Sequence, residues 1–153
     1  MIKVGNVYIG TKDESYRLSD SEWAIVHACK TSHQERLGYD RPIKESPYYI
    51  EFRENNHLYL NWVDEPTGRF FQIKTFEDAF DFMDEFINNR KIFIHCDQGQ
   101  SRSPTLAMSY LAKRTDYLPD DFNSAVEKFR AEYPNFYPSG IIKFVQLNWK
   151  NIK

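Results

Sequence analysis

Residues 91–114, "KIFIHCDQGQSRSPTLAMSYLAKR", constrain the fold of this chain more than any other stretch. Residues 91–95 are mostly branched or aromatic, as in a buried strand, and residues 103–114 are rich in helix formers, with Pro104 suited to a first helical turn. A loop of small and polar residues joins the two. A strand that feeds directly into a helix in this way is typical of α/β proteins with a parallel sheet.

The rest of the chain shows the same alternation of strands and helices. Strands are predicted at 6–10, 23–29, 48–52, 57–62 and 91–95, and helices at 75–89, 103–114, 120–134 and 139–150. Thr75 is the predicted N-cap of the helix over 75–89, in which apolar residues recur at helical spacing. The predicted fold is one α/β domain over residues 1–153, with a mostly parallel central sheet and helices on both faces.

Composition excludes several classes of function. The net charge is −2, with acidic and basic residues spread along the chain, so we expect no stable complex with nucleic acid and no attraction to a membrane surface. No signal peptide and no long apolar segment is present, which predicts a cytoplasmic protein. Nothing indicates an obligate oligomer, so a monomer is expected. In a reducing compartment both cysteines, Cys29 and Cys96, remain thiols.

The loop after the strand at 91–95 has the composition of an anion site. In open α/β folds this loop lies at the carboxyl edge of the sheet, where ligands bind. Its short residues, with Gly99 among them, can turn successive backbone N–H groups inward, and the next helix adds its positive dipole end. Arg102 can grip two phosphoryl oxygens, and such surroundings favour the thiolate form of Cys96. The loop predicts a nucleophilic cysteine aimed at phosphorus.

The string "HCDQGQSRS" (residues 95–103) resembles the H-C-x-x-G-x-x-R-S/T signature of the cysteine-dependent protein phosphatases, and its ending is similar to the dual-specificity branch. The opening "VGNVYIGTKDE" and the tail "AVEKFRAEYPNFYPSGIIKFVQLNWK" are also similar to small dual-specificity phosphatases, whereas residues 30–56 match nothing diagnostic. The resemblance implies phosphomonoester hydrolysis through a phosphocysteine, without metal or other cofactor. It implies phosphate binding by Asp97, Gln98, Gly99, Gln100, Ser101 and Arg102.

The same resemblance implies a general acid on a loop after an upstream strand. Asp64, just past the strand at 57–62, is the predicted acid, and Glu65 is the alternative. Asp64 would protonate the leaving group and then activate water. Ser103 would stabilise the departing thiolate, and His95 would fix the loop through hydrogen bonds.

Each of these residues also has a structural interpretation. Cys96 could be a small buried side chain, Arg102 a surface cation and Asp64 a solvated turn residue before Pro66. Cys29 is interpreted as a buried core thiol, with a protective disulfide to an oxidised Cys96 as the alternative. The remaining histidines have no metal-ligand spacing, so no metal site is predicted.

The predicted substrates are proteins carrying phosphotyrosine, phosphothreonine or phosphoserine. The variable loop positions contain no lysine and one acidic residue, Asp97, which disfavours polyanionic substrates. Three alternatives stay open. They are a phosphatase of RNA 5′-phosphates, phosphoinositides or glycan phosphates, a non-catalytic phosphoprotein-binding pseudophosphatase, and a redox or sulfur-transfer protein that uses Cys96.

Overall fold

A computed structural model describes residues 1–153 as a layered α/β structure. Six strands form one sheet in the order β1-β2-β6-β3-β5-β4. The strands are β1 (Ile2–Val4), β2 (Val7–Thr11), β3 (Trp23–His27), β4 (Glu51–Glu54), β5 (His57–Leu60) and β6 (Lys91–Cys96). The helices are α1 (Lys12–Ser15), α2 (Lys30–Leu37), α3 (Ile73–Phe86), α4 (Arg102–Lys113), α5 (Phe122–Glu132) and α6 (Gly140–Asn148).

The centre of the sheet is parallel, which confirms the predicted fold class. Strands β2, β6, β3 and β5 run in one direction, and the two edge strands, β1 and β4, pair antiparallel with their neighbours. In register, Cys96 lies beside Thr11 and His95 lies beside His27. Because parallel strands end at the same edge of a sheet, the segments that follow these four strands meet there.

Helices flank both faces of the sheet, but unequally. Along β6, Ile92 and Ile94 join a hydrophobic core of 33 buried residues, to which helices α3 to α6 contribute. Phe93, on the opposite face, belongs to a small cluster with Trp23 and Ile25. The short helices α1 and α2 lie on this second face, which also carries His95. Most of the apolar burial therefore lies on one side of the sheet.

Two local predictions were wrong. Thr75 does not cap α3, because this helix begins at Ile73 and Gln72 occupies the N-cap position. The buried Thr75 hydroxyl instead donates to the Gln72 carbonyl and accepts a hydrogen bond from the Trp62 indole. The strand predicted at 48–52 begins at Glu51, because residues 48–50 form a turn.

Three elements had no predictive signal in the sequence. Strand β1 has three residues and α1 has four, which is too few for a periodic pattern. Helix α2, "KTSHQERL", has only one strongly apolar residue, Leu37, so an apolar stripe is missing. No helix is long and apolar enough to cross a lipid bilayer.

Candidate active site

The loop of residues 97–101, named here the phosphate loop, connects β6 to α4 and encloses Cys96. The thiol is 2% exposed, and its Sγ lies 3.2 Å from the hydroxyl of Ser103 in the first turn of α4. A cavity of about 390 Å³ opens here, lined by Asp64, Cys96, Asp97, Gln98, Gln100, Ser101 and Arg102. The fold therefore brings the predicted residues of two distant segments to one cavity.

Backbone donors in the phosphate loop have no partner within the protein. No protein acceptor takes the N–H groups of Gln98, Gly99, Gln100 and Ser101. The positive dipole end of α4 begins at the same place. Unpaired N–H groups at a helix N-terminus form a ready site for a tetrahedral anion.

Arg102 has two fixed contacts and one nitrogen without a partner. Its guanidinium is nearly buried, with Nη1 donating to the Trp62 carbonyl and Nη2 donating to Asp97 Oδ2, each at 2.8 Å. Its Nε is buried and has no partner. The two contacts orient the guanidinium, and the free Nε remains available to a bound anion.

The Asp97 carboxylate forms an ion pair with Arg102 and also contacts the start of α2. Its second oxygen accepts a hydrogen bond of 2.6 Å from the Thr31 hydroxyl at the start of α2. Partial burial acts to raise the pKa of Asp97, but the hydrogen bonds from Thr31 and Arg102 outweigh it and lower that pKa. The carboxylate is therefore charged at neutral pH and links α2 to Arg102. Thr31 was not predicted, because nothing in the sequence relates it to residue 97.

Gly99 is required by the shape of the phosphate loop. Its φ of 68° lies in the left-handed region, and an added Cβ would lie 3.0 Å from the carbonyl oxygen of Gly10. The Tyr133 hydroxyl, just after α5, donates to the Gly99 carbonyl at 2.6 Å. Burial, followed by the charge of Cys96, raises the pKa of Tyr133 to about 12, so this hydroxyl remains a donor.

The segment between α5 and α6 makes two further contacts to the loop. The N–H of Tyr137 donates to the Gln100 carbonyl at 2.8 Å, and the N–H of Ser139 donates to the Ser101 hydroxyl at 2.9 Å. No contact between this segment and the loop was predicted. The only indication in the sequence was the similarity of this segment to the tail of small dual-specificity phosphatases.

Residues 61–72, named here the acid loop, place Asp64 at the exposed rim of the cavity. Glu65, the alternative acid, is engaged elsewhere, because its carboxylate accepts hydrogen bonds from the N–H groups of Thr67 at 2.8 Å and Gly68 at 2.6 Å. These bonds, with that from the Thr67 hydroxyl as the largest cause, lower the pKa of Glu65. Asp64 is thus the carboxylate of this loop that faces the cavity.

The acid loop rests on the start of α6. An added Cβ on Gly140 would lie 2.1 Å from the Glu65 carbonyl oxygen and 2.5 Å from the Gly68 nitrogen, so the two backbones are in direct contact. The Lys143 ammonium donates to the Pro66 carbonyl at 3.0 Å. The position of Asp64 therefore depends on α6.

His95 is fully buried beneath Cys96. Its Nδ1 lies 3.3 Å from the Cys96 carbonyl oxygen, and burial lowers the pKa of His95 to about 4, so the ring is neutral at neutral pH. Cys29 is also buried, with its Sγ 3.4 Å from the Ser32 hydroxyl and 4.0 Å from His95 Nδ1. Both cysteines are free thiols, and the interpretation of Cys29 as a buried thiol is confirmed.

Comparisons with known proteins agree with this fold. Dual specificity protein phosphatase 5 of Rattus norvegicus is 32% identical over 83 residues, which cover 52% of this chain and 22% of that protein. The crystal structure of human DUSP28 superimposes with a TM-score of 0.62 at 13% identity, covering 99% of this chain and 96% of that one. The crystal structure of PTPMT1 in complex with PI(5)P gives 0.58 at 14% identity, covering 95% and 88%.

The chain matches only a small part of its curated relatives but most of one catalytic-domain family. The chain spans 22% of the length of the rat and human forms of dual specificity protein phosphatase 5. The family described as "Dual specificity phosphatase, catalytic domain" matches residues 16–150, which include the phosphate loop, the acid loop and the segment between α5 and α6. The chain therefore belongs to the dual specificity phosphatase family.

Proposed function

We propose that this protein hydrolyses phosphomonoesters through a phosphocysteine on Cys96, and that its substrates are proteins phosphorylated on tyrosine, threonine or serine. One observation carries the proposal. The Cys96 thiol lies at a cavity lined by the phosphate loop and Arg102, and the four N–H groups of residues 98–101 and the Nε of Arg102 have no protein partner. Such a cavity matches the oxygens of a phosphoryl group next to a sulfur nucleophile.

In the first step the Cys96 thiolate attacks phosphorus, and the bond from phosphorus to the ester oxygen breaks. Asp64, at the cavity rim, gives its proton to the leaving oxygen. Arg102 and the phosphate loop N–H groups stabilise the charge on the other three oxygens, a role that requires no metal ion.

In the second step a water molecule attacks the phosphocysteine. Asp64, now a carboxylate, takes a proton from this water, and Cys96 leaves as a thiolate. The Ser103 hydroxyl, 3.2 Å from Sγ, donates a hydrogen bond to the departing sulfur. His95 supports the position of Cys96 from below.

A groove next to the cavity supports a protein substrate. It has a volume of about 350 Å³ and is half apolar, with Tyr49, Trp62 and Phe70 among its lining residues. Lys30 and Arg69 also line it, and neither forms an ion pair with a carboxylate. Trp62 lines the groove, and its carbonyl accepts a hydrogen bond from Arg102, which lines the cavity. A peptide with acidic residues beside its phosphorylated side chain fits this groove.

The experiment that tests the proposal is steady-state hydrolysis of p-nitrophenyl phosphate between pH 5 and 8, in EDTA with a reductant. We expect Cys96→Ser to abolish turnover and Asp64→Asn to lower kcat by about 10²-fold. Matched controls are Cys29→Ser and Asp116→Asn, an exposed aspartate without hydrogen bonds. Full activity in Cys96→Ser would refute the mechanism.

Substrate class is tested in the same assay with phosphopeptides, a phosphoinositide and an RNA 5′-phosphate. We expect the highest kcat/KM for peptides with acidic flanking residues, and a loss of this preference in Lys30→Ala and Arg69→Ala. A phosphoinositide or RNA preferred over every peptide would refute the protein substrate class. Phosphopeptide binding without turnover would identify a pseudophosphatase.

A further inference from the structure

Three histidines on the second face of the sheet form a continuous hydrogen-bonded chain. His95 Nε2 lies 2.6 Å from His27 Nδ1, and His27 Nε2 lies 2.9 Å from His57 Nδ1. His57 Nε2 lies 2.7 Å from Asp20 Oδ1 at the surface. At its other end, His95 Nδ1 faces the Cys96 carbonyl at 3.3 Å. This histidine chain thus links an exposed carboxylate to the backbone of Cys96.

The two inner rings are neutral at neutral pH. Burial lowers the pKa of His95 to about 4 and, with the charges of His95 and His57, lowers the pKa of His27 well below its ordinary value. A neutral imidazole has one donor nitrogen and one acceptor nitrogen. Each hydrogen bond in the histidine chain holds one proton, so the tautomer of one ring fixes the tautomer of the next.

The two ends of the histidine chain determine its direction. A carboxylate only accepts, so His57 Nε2 carries a proton toward Asp20. If His57 is neutral, its Nδ1 accepts from His27 and His27 Nδ1 accepts from His95. His95 Nδ1 then has no proton, and it faces the Cys96 carbonyl and the Cys29 thiol, whose Sγ lies 4.0 Å away. If His57 is an imidazolium, its Nδ1 donates instead, both inner bonds reverse, and His95 Nδ1–H donates to that carbonyl.

We propose that His57, His27 and Asp20 are positioning residues for Cys96, and that an imidazolium at His57 makes His95 donate to the Cys96 carbonyl. The proton balance is one proton taken from solvent. One proton shifts from His27 Nε2 to His57 Nδ1, one shifts from His95 Nε2 to His27 Nδ1, and the added proton resides on His95 Nδ1. The N–H then holds the Cys96 peptide and brings a positive dipole end near the thiolate, which increases its population.

The positive charge of the added proton is favoured only at His57, the outer end of the histidine chain. The His57 side chain is 19% exposed and contacts the Asp20 carboxylate, whereas His27 is stacked on Tyr59 with ring centroids 4.2 Å apart. Other charged groups around the histidine chain are mostly paired with each other. They are Lys12 with Glu35, Arg36 with Glu54, and Arg102 with Asp97. No group of three His, Cys, Asp or Glu side chains is arranged to hold a metal ion.

The experiment is a pH titration of the ¹⁵N-labelled protein by NMR, which reports the tautomer of each histidine ring. We expect His27 and His95 to change from Nε2–H to Nδ1–H as the pH falls, with the same midpoint as the gain of a second proton by His57. His57→Gln should abolish the change in both inner rings. His33→Gln is the matched control, because His33 binds Tyr39 and the Tyr48 carbonyl outside the histidine chain. Tautomers of His27 and His95 that stay constant from pH 5 to 8 would overturn the proposal.

A second readout is the alkylation rate of Cys96 by iodoacetamide, measured by peptide mass spectrometry. The ratio of the parent rate to the His57→Gln rate should rise by about 3- to 10-fold as the pH falls through the shared midpoint. Asp20→Glu should preserve this rise and Asp20→Asn should weaken it, whereas a ratio independent of pH would contradict the proposal.

The proposal rests on the proposed function only in taking Cys96 as the nucleophile. Neither readout requires turnover. A protein whose histidine tautomers change with pH but which hydrolyses no phosphomonoester would therefore refute the proposed function and leave the role of the histidine chain intact.

Discussion

The phosphate loop and the acid loop lie at the same edge of the sheet, but the protein holds them in different ways. The phosphate loop is held from beneath, by the Tyr133 hydroxyl and by N–H groups of the segment between α5 and α6. The acid loop has an internal turn and rests on the backbone of Gly140, and its Asp64 is exposed. The groups that would bind phosphate are thus preorganised, whereas the position of the proposed proton donor, Asp64, depends on one helix terminus.

The largest effect is expected for Gly99→Ala, which breaks the phosphate loop. The new Cβ would meet the Gly10 carbonyl in a left-handed conformation, so the loop must move. We expect kcat/KM to fall by about 10²-fold or more, with weaker inhibition by inorganic phosphate. The control is Gly38→Ala, which has a similar φ of 73° but no atom within 4 Å of the new Cβ. If both variants lost activity equally, general strain would explain the result.

The next effect, for Gly140→Ala, separates the two loops. A Cβ here would meet the backbone of Glu65, Pro66 and Gly68, so we expect the acid loop to move while the phosphate loop keeps its contacts with Tyr133 and Tyr137. We expect kcat to fall by about 10- to 10²-fold, while the alkylation rate of Cys96 and the inhibition constant of phosphate stay at parent values. A parallel loss of Cys96 alkylation would show that the two loops are not independent.

Asp97→Asn tests the ion pair inside the phosphate loop. Removing a negative charge beside the incoming phosphate should lower KM and the phosphate inhibition constant by about 3- to 10-fold. Because the pKa of Asp97 is lowered in the folded protein, its ion pair stabilises the fold above the ordinary pKa of aspartate and is lost as the pH falls through the lowered value. The parent should therefore be more stable than Asp97→Asn in urea at pH 7, and the difference should shrink as the pH falls below the ordinary pKa of aspartate. An unchanged or raised KM would contradict this account.

The smallest effect is expected for Tyr133→Phe. It removes one hydrogen bond to the Gly99 carbonyl and leaves the ring packing intact. We expect a loss of about 1–2 kcal/mol in the free energy of unfolding and a roughly 2- to 5-fold fall in kcat/KM. Tyr137→Phe is the control, because that exposed residue contacts the loop through its backbone only. Equal losses in both variants would remove the assigned role of the Tyr133 hydroxyl.

The sequence was sufficient to predict the strands and helices whose apolar residues recur at a regular spacing. The parallel sheet, the helices α3 to α6 and the position of Cys96 at the end of β6 follow from apolar spacing and from the composition of residues 91–114. Thr75 was misplaced because α3 begins two residues earlier, at Ile73, and the buried Thr75 hydroxyl bonds to the Gln72 carbonyl and the Trp62 indole instead of capping the helix.

Contacts between distant segments were beyond the reach of the sequence. Thr31 and Asp97 meet because α2 begins beside the phosphate loop, and α2 has no apolar pattern to predict it. The histidine chain depends on the register of β3, β5 and β6, which places His27 beside His95. Spacing along the chain contains no information on that register, so His27 and His57 had no predicted role.

The most direct test of the central claim is to identify the phosphorylated residue during turnover. The Asp64→Asn variant would be mixed with p-nitrophenyl phosphate, quenched in acid within the first turnover and mapped by mass spectrometry, with Cys96→Ser as the control. The mechanism predicts one phosphoryl group on Cys96, because hydrolysis of the intermediate is slowed more than its formation from a good leaving group. Phosphate released without phosphocysteine, or a phosphoryl group on any other residue, would contradict it.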